Sequence, residues 1–271
     1  MQFAVNLPNF GSFSDPESMV DLAVTAEEAG WDGFFIWDHI VVADGMPVAD
    51  PWVILGAVAT ATHRIRLGPM VTPVPRRRPW VLARQVTTVD HLSGGRLILG
   101  VGLGVPAAEE FGTFGEPTDD RERADLLDEG LEVMLGMWSG EPFSFEGRWY
   151  RVERTTFSPR PVNGTIPIWV AGMWPNRRPF RRAASYDGVF PIAVDQHHLG
   201  PGEVGEIVEY VRQARNSDDL GDVSIAGTPP TTEEVEDYAR VGVTWYQVTP
   251  DPSGESPEET KAWIADGPPS S

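Results

Sequence analysis

Residues 33–39 read Gly33-Phe34-Phe35-Ile36-Trp37-Asp38-His39, a short apolar run that ends in two polar side chains. Such a run predicts a buried strand, and seven similar runs alternate with helix-patterned segments along the chain. This alternation predicts an α/β fold, a TIM (β/α)8 barrel. The active site of such a barrel lies at the C-terminal ends of its strands, so Asp38 and His39 are candidate catalytic residues. The alternative is that Asp38 caps a turn and His39 only lines it.

Apolar periodicity and helix start signals, such as Asp50-Pro51 and Thr231-Thr232-Glu233-Glu234, divide the chain into elements. The eight predicted strands span residues 3–7, 33–37, 65–71, 97–101, 166–170, 188–192, 223–226 and 243–248. An insertion at about 103–162 follows strand four, with a long loop (103–119), a helix (120–138) and a β-hairpin that turns at Gly147. We expect residues 1–265 to form a single domain and residues 266–271 a frayed tail.

The composition excludes several classes of protein and of site. The 271 residues include 21 basic and 40 acidic side chains, and the net charge of −19 disfavours contact with nucleic acid or an anionic membrane. The absence of cysteine excludes disulfides and thiolate chemistry. His197-His198 lacks a third ligand at useful spacing, so no metal site is predicted. No signal peptide and no apolar stretch of about 18 residues is visible, so a cytoplasmic protein is expected.

Three segments that follow predicted strands are candidate ligand sites. Gly100-Val101-Gly102-Leu103-Gly104 lets a flat ligand approach the barrel mouth closely, or it forms a flexible strand exit. Arg76-Arg77-Arg78 holds an anionic tail or lines the entrance, or it lies in a solvated loop. Glu109 and Glu110, in the long loop, join the site after loop closure or remain solvated.

The best candidate for a phosphate site lies at residues 171–178, between strand five and a helix predicted at about 176–185. Gly172 permits close backbone approach, and the helix start offers free N–H groups. Arg177 and Arg178 add positive charge, and Arg181 and Arg182 follow deeper in the helix. The alternative is that these arginines pair with the acidic surface.

Several blocks of sequence together form a family pattern. They are Asn6 to Gly11, Trp37-Asp38-His39, Ile65 to Pro73, Asp90 to Gly102, Leu135 to Gly147 and Pro167 to Gly172. With these blocks the chain resembles the bacterial luciferase-like flavin-dependent oxidoreductases, over most of residues 1–192 and most specifically in the strand-four block. The resemblance implies a TIM-type barrel with an insertion, often dimeric. It also implies reduced FMN, or the deazaflavin coenzyme F-420, lying across the barrel mouth.

The resemblance implies roles for individual residues as well. His39 would face the reactive edge of the cofactor ring. The residues implied to line the ring are Asn6, Thr72, Gly102, Leu103 and Gly104. The residues implied to hold the ribityl phosphate are Gly172, Met173, Trp174, Arg177 and Arg178. A strained or cis peptide bond near Val71-Thr72 or Thr72-Pro73 would back the ring.

Two positions depart from the deazaflavin-dependent sugar-phosphate and secondary-alcohol dehydrogenases, which form one branch of the family that the chain resembles. Those enzymes tend to have a tryptophan shortly after the Asp-His pair, where this chain has Ala43. They also tend to have a glutamate directly after the strand-four glycines, where this chain has Val105. These departures argue against alcohol oxidation by the machinery of that branch, and they leave the choice between FMN and F-420 open.

The leading hypothesis is an oxidoreductase that oxygenates a small organic substrate with reduced FMN or transfers a hydride with F-420. His39 would move a proton, and Asp38 would orient it or hold the loop. The residues predicted to form an apolar substrate pocket are Phe10, Trp37, Met70, Phe190 and Trp174. Expected partners are a separate flavin or F-420 reductase and a second copy, through the helices after strands two and three. The alternatives are a non-catalytic flavin-binding protein, and a cofactor-free barrel isomerase or lyase that acts on a phosphorylated metabolite.

Overall fold

The computed structural model describes residues 1–250 and 254–269 of the chain. Its strands are β1 (Gln2–Leu7), β2 (Gly33–Ile36), β3 (Arg66–Pro69), β4 (Thr72–Pro73), β5 (Leu99–Gly102), β6 (Phe143–Glu146), β7 (Arg151–Thr155), β8 (Ile168–Trp174), β9 (Gly188–Ala193), β10 (Asp222–Gly227) and β11 (Trp245–Val248). Its helices are α1 (Pro16–Glu28), α2 (Pro51–Ala61), α3 (Pro79–Ser93), α4 (Ala107–Glu110), α5 (Asp120–Trp138), α6 (Arg177–Ala183), α7 (Pro201–Arg215), α8 (Thr232–Arg240) and α9 (Pro257–Ala265).

Nine of the strands form a closed ring with eight strand positions, here called staves, because β3 and β4 share one position. They pair in the order β3-β2-β1-β11-β10-β9-β8-β5-β4, and every pair is parallel. β3 and β4 are two halves of one stave, separated at the peptide bond between Met70 and Val71, which is cis. The N–H of Ile98 donates to the carbonyl of Leu67 at 2.9 Å and joins this stave to the next one. The predicted (β/α)8 barrel is therefore confirmed.

The insertion after the fourth stave has the predicted helix and hairpin. Helix α5 packs against α3, and β6 and β7 pair in antiparallel fashion. The carboxylate of Glu129 accepts the N–H groups of Trp149 at 2.9 Å and Tyr150 at 3.1 Å, which ties the hairpin to α5. The segment predicted as a long loop contains the short helix α4, and the fully buried Phe111 anchors it to the barrel.

Two predicted strands differ from the observed ones. The third strand is interrupted, as described above. The fifth strand, β8, runs further than predicted, because it stays in register with β9 as far as the pair Trp174 and Ala193. Residues 172–174 therefore lie on a strand and not on a loop. At the C-terminus, the N–H of Gly267 donates to the carbonyl of Ile264 just after α9, while residues 270–271 lie outside the described part of the chain.

The core has two parts, one inside the barrel and one between the barrel and its helices. The inner part, called the barrel plug below, consists of Ala4, Phe35, Met70, Ile98, Trp169, Phe190 and Trp245. Full burial of one large apolar side chain contributes roughly 1.5–3 kcal/mol, so this plug is a major source of stability. Because the plug fills the interior, a ligand has to bind above it, at the end where the strands terminate.

A buried carboxylate holds the segment between α2 and β3 in place, at the end of the barrel where the strands begin. Glu27, at the end of α1, accepts the backbone N–H groups of His63, Arg64 and Ile65, which lead into β3. Burial alone would raise the pKa of Glu27, but the hydrogen bonds from these N–H groups hold it below its ordinary value. None of the described helices has both the length and the apolar composition needed to span a bilayer.

Candidate active site at the C-terminal end of the barrel

His39 lies just beyond β2, on the rim where the strands end. The side chain of Asn9 fixes the local backbone, because its amide group donates to the carbonyl of His39 at 2.9 Å and accepts its N–H at 3.1 Å. The imidazole packs edge-on against Phe10, with ring centroids 5.4 Å apart, and lies 6.0 Å from the ring of Trp37. The imidazole side chain keeps 23% of its surface exposed, so it is held in place and still accessible.

Glu110 holds the imidazole from the other side. Its Oε1 lies 2.9 Å from Nδ1 of His39, and it also accepts the N–H of Ile40 at 3.2 Å. Its side chain is only 1% exposed and forms a second ion pair, with Arg76. An ionised carboxylate can only accept, so Nδ1 of His39 donates this bond. The other ring nitrogen, Nε2, has no hydrogen-bond partner in the described part of the chain.

Asp38 is buried in a separate set of bonds. It accepts the hydroxyl of Thr72 at 2.8 Å and guanidinium N–H groups of Arg76 and Arg77, each at 2.8 Å. Between described atoms, no hydrogen bond joins Asp38 to His39. Asp38 therefore holds the loop and does not orient the imidazole, and Arg76 links the two carboxylates, because it contacts both Asp38 and Glu110.

These observations bear on the alternatives left open for two segments, residues 76–78 and 109–110, and on the role of Thr72. Arg76 and Arg77 are largely buried and neutralised by carboxylates, so they form neither a solvated loop nor a free anion site. Glu110 joins the site and is not solvated, whereas its neighbour Glu109 is exposed. The hydroxyl of Thr72 is fully engaged, because it also accepts the indole N–H of Trp52 at 3.1 Å.

A cavity of about 300 Å³ adjoins this network. The lining residues are Asp38, His39, Ile40, Val48, Ala49, Asp50, Pro51, Arg76 and Arg77. Asp50 accepts the N–H groups of Trp52 and Val53 and so caps α2 at the cavity wall. The cavity therefore places an imidazole, two paired arginines and a helix start around one small volume.

The barrel mouth above the plug has a floor of small apolar side chains. Val71, Ala171, Ile192 and Ala226 pack on the plug and are only half-buried. Asn6 points inward from β1 at this level, and its Oδ1 is buried without a hydrogen-bond partner in the described chain. A flat ring with a polar edge matches an apolar floor of this kind that is flanked by an unpaired amide oxygen.

The glycines after the fourth stave are required by the protein's own packing. A Cβ at Gly102 would lie 2.8 Å from a methyl group of Val71, and one at Gly104 would lie 2.8 Å from Pro73. Gly104 also has φ of +83°, a conformation that favours glycine. Leu103 between them is half-buried at the rim. The segment thus lies at the mouth as predicted, and these two positions need glycine even before any ligand is considered.

The predicted phosphate segment is only partly available. Gly172 sits under α6, where a Cβ would lie 2.5 Å from Pro179. Arg178 pairs with Asp125 and Asp128, and the hydrogen bond to Asp125 raises the pKa of Arg178 above its ordinary value. Arg182 pairs with Asp128 as well.

Arg177 differs from Arg178 and Arg182 because its guanidinium has no carboxylate partner in the described part of the chain. Its guanidinium stacks on Trp174 at 4.0 Å and on Tyr210 at 4.5 Å, and the residue is exposed. The neighbouring arginines instead line a cleft of about 530 Å³ between α5 and α6, outside the barrel and away from His39. Arg177 therefore stacks on aromatic side chains of the core between the barrel and its helices, beyond the end of β8.

Four of the five predicted pocket residues fall into two groups, and the fifth, Trp174, packs against Phe180 and Tyr210 in the core outside the barrel and does not line the mouth. Phe10 and Trp37 flank His39, while Met70 and Phe190 belong to the plug, each 4% exposed. Met173 is half-buried on β8 beside Trp174, which is 9% exposed. Among residues 1–250 and 254–269, no three His, Asp or Glu side chains are grouped so that they could hold a metal ion.

Comparison with known proteins agrees with this geometry. A sequence profile described as luciferase-like monooxygenase matches residues 1–260. The chain belongs to this family. Within the family, the chain is 38% identical over 165 residues to an F-420-dependent glucose-6-phosphate dehydrogenase of Nakamurella multipartita. That match covers 59% of this chain and 48% of the dehydrogenase, so the chain spans about half the length of the curated relatives it matches.

Solved structures with the same fold are more distant in sequence. The F-420-dependent tetrahydromethanopterin reductase of Methanopyrus kandleri superposes with a TM-score of 0.80 at 18% identity, over 98% of each chain. An FMN complex of a type II Baeyer-Villiger monooxygenase component from Pseudomonas putida has a TM-score of 0.68 at 20% identity, over 84% of this luciferase-like chain and 67% of the monooxygenase. At these identities the similarity establishes the fold alone.

Proposed function

We propose that this luciferase-like protein is an oxidoreductase that uses reduced FMN or F-420 to oxygenate or reduce a small organic substrate. The observation that carries the proposal is His39, which is accessible at the rim and held by the buried Glu110 beside an apolar mouth. The family supports it, because its named relatives include F-420-dependent dehydrogenases and an FMN-bound monooxygenase.

The residues of the mouth fit a flavin or deazaflavin. The floor of Val71, Ala171 and Ala226 suits the face of a flat ring, and the unpaired Oδ1 of Asn6 suits a ring N–H. When bound, such a cofactor supplies a hydride or the reduced flavin that reacts with oxygen. Arg177 would hold the anionic tail at the end of β8, and Leu103 would cover the ring edge from β5.

The chain's own contribution is to hold and move a proton. Because Nδ1 of His39 donates to Glu110, Nε2, which has no partner in the described part of the chain, is the atom that takes up or releases a proton at the substrate. Asp38 with its two arginines keeps the loop that carries His39 in place. The aromatic rings of Phe10 and Trp37 exclude water from one side of the imidazole.

The test of the cofactor is a pair of fluorescence titrations with reduced FMN and with F-420, carried out without oxygen. Micromolar binding of one and not the other assigns the cofactor, and binding of neither contradicts the proposal. Turnover is then compared between the parent, His39→Ala and the control His63→Ala, a histidine exposed at the other end of the barrel. We expect His39→Ala to lower kcat by about 10²–10⁴-fold with cofactor affinity unchanged. An unchanged kcat would remove His39 from the chemistry, and tight binding without any turnover would favour the non-catalytic alternative.

We further propose a cytoplasmic homodimer that is served by a separate reductase. Support for the dimer comes from exposed apolar side chains on the helices after β2 and β4, namely Val53, which is 72% exposed on α2, and Val81, which is 49% exposed on α3. Light scattering of the parent and of Val53→Glu tests the dimer. A monomeric parent would contradict it.

A further inference from the structure

The cleft between α5 and α6 lies on the outside of the barrel, and the proposed reaction does not use it. Helix α5 packs against α3 and α6 packs against α7, which leaves a gap of about 530 Å³ between these two neighbours. This volume falls within the range of small-molecule sites. The lining residues are Asp128, Glu132 and Leu135 from α5, Arg178, Arg181 and Arg182 from α6, and Ser185 and Tyr186 just beyond it.

Arg182 gives this cleft a donor group that is held in place and still reaches the solvent. Its side chain is only 6% exposed, its Nε pairs with Asp128, and its Nη2 donates to the carbonyl of Ala124 at 3.2 Å. Its Nη1 has no hydrogen-bond partner in the described part of the chain and, unlike a fully buried atom, remains in contact with solvent. A guanidinium fixed through two nitrogens can offer the third to a ligand at little cost in side-chain entropy.

Further free donors surround this nitrogen. The hydroxyl groups of Ser185 and Tyr186 have no hydrogen-bond partner among the residues that the structure describes. Burial raises the pKa of Tyr186, so its hydroxyl keeps the proton that it can donate. Arg181 adds a second guanidinium, which is exposed. Guanidinium and hydroxyl donors around one volume are the groups that bind a carboxylate.

The charges around the cleft leave one group of each sign without a partner. Carboxylates of α5 match Arg178 and Arg182. Between described residues, no ion pair involves Arg181 on α6 or Glu132 on α5, although both line the cleft. A simple anion would therefore face the unopposed Glu132, and a simple cation would face the unopposed Arg181. A molecule that carries both charges compensates both groups.

We infer that this cleft binds a zwitterion with an aliphatic side chain, that is, a free α-amino acid. Its carboxylate meets Arg181 and the Nη1 of Arg182, and its ammonium group meets Glu132 on the opposite wall. Leu135, which is 40% exposed in the same cleft, offers an apolar surface to the hydrocarbon side chain. The site lies outside the barrel, so the inference does not depend on the proposed reaction at His39.

The test compares three probes with the same hydrocarbon group. Leucine carries both charges, isocaproate lacks the ammonium group, and isoamylamine lacks the carboxylate. NMR titrations of the parent protein without cofactor give the three dissociation constants. We expect leucine to bind about tenfold more tightly than isoamylamine, the ratio that one charge-assisted hydrogen bond to a buried group produces. The advantage over isocaproate should be only about threefold, because Glu132 is exposed and its charge is screened.

Two variants of exposed residues test the two ends of the ligand. Arg181→Gln should weaken leucine binding about threefold to fivefold, while the control Arg154→Gln, at an exposed position on β7, should leave it unchanged. Glu132→Gln should abolish the preference for leucine over isocaproate, and the control Glu236→Gln, exposed on α8, should keep it. The inference is overturned if leucine does not bind up to its solubility limit, or if Arg181→Gln binds it as tightly as the control does. Isocaproate binding at least as tightly as leucine to the parent would overturn the assignment to a zwitterion.

A second measurement locates the ligand on the parent protein and needs no variant to fold. In ¹H–¹⁵N spectra, the backbone amide signals of Glu132, Leu135 and Ser185 should shift when leucine is added, while the imidazole signals of His39 stay in place. Shifts confined to the barrel mouth, or displacement of leucine by FMN or F-420, would overturn the location. Because leucine is titrated without cofactor, the outcome is separate from the FMN and F-420 titrations, which alone decide the proposed function.

Discussion

The substitution Glu110→Gln removes one charge from the buried network and changes little else. The carboxylate accepts from the imidazole of His39 and from the N–H of Ile40, and it pairs with Arg76, whose side chain is only 8% exposed. In the variant, Arg76 keeps a single counter-charge, Asp38, which it shares with Arg77. Loss of one partner from a buried ion pair costs about 3–5 kcal/mol, and the isosteric amide keeps some hydrogen bonds, so we expect about 3 kcal/mol.

For a chain of this size, a loss of about 3 kcal/mol corresponds to a fall in Tm of about 6–12 °C. The matched control is Glu109→Gln, the same chemical change at the exposed neighbouring residue, which should change stability by less than about 0.5 kcal/mol. Thermal unfolding followed by circular dichroism measures both variants. A Tm for Glu110→Gln that equals that of the control would show that the network does not stabilise the fold.

The same variant has a second, independent effect on His39. The glutamine side chain can donate as well as accept, so Nδ1 of His39 is no longer required to carry the proton. The ¹⁵N chemical shifts of the imidazole report the tautomer, and we expect a single tautomer in the parent and a mixture in Glu110→Gln. Identical imidazole spectra in the two proteins would refute the claim that Glu110 orients the imidazole of His39.

Three further predictions concern other parts of the chain. The pKa of Glu27 is lowered in the folded state, so its stabilising effect is present above the unfolded value of 4.5 and is lost as the pH falls through the folded value. In denaturant titrations at several pH values, the free energy of unfolding should therefore fall less on acidification in Glu27→Gln than in Glu28→Gln. An equal fall in the two variants would contradict this prediction. Gly102→Ala should lower the free energy of unfolding by about 1–3 kcal/mol, because the new Cβ would lie 2.8 Å from a methyl group of Val71. The control Gly56→Ala, in an open part of α2, should be neutral or stabilising by up to about 1 kcal/mol in the same titrations. Arg177→Gln should weaken cofactor binding about fivefold and reduce its salt dependence, as expected for one exposed charge contact; an unchanged affinity would place the anionic tail elsewhere.

The prediction of the barrel was accurate because it depends on local patterns. Strand two had to end before Asp38, since an apolar run gives way there to groups that cannot be buried unpaired. Start signals such as Asp50-Pro51 fixed where helices begin, and the structure shows Asp50 accepting two N–H groups at that point. The extent of β8 was missed because Gly172 suggested a loop, whereas pairing with β9 carries the strand through it.

The sequence by itself therefore determined the order of strands and helices, and it placed His39 at the C-terminal end of the barrel strands, because the direction of a parallel strand decides which rim its last residue reaches. Only the tertiary structure decided what His39 contacts. Glu110 lies 71 positions further along the chain, in a segment whose composition suggested solvation, and its burial depends on the path of that segment over the rim. The same is true of Arg178, whose pairing with α5 depends on how an insertion packs against the barrel. Contacts between distant segments are set by packing, and periodicity along the chain does not report them.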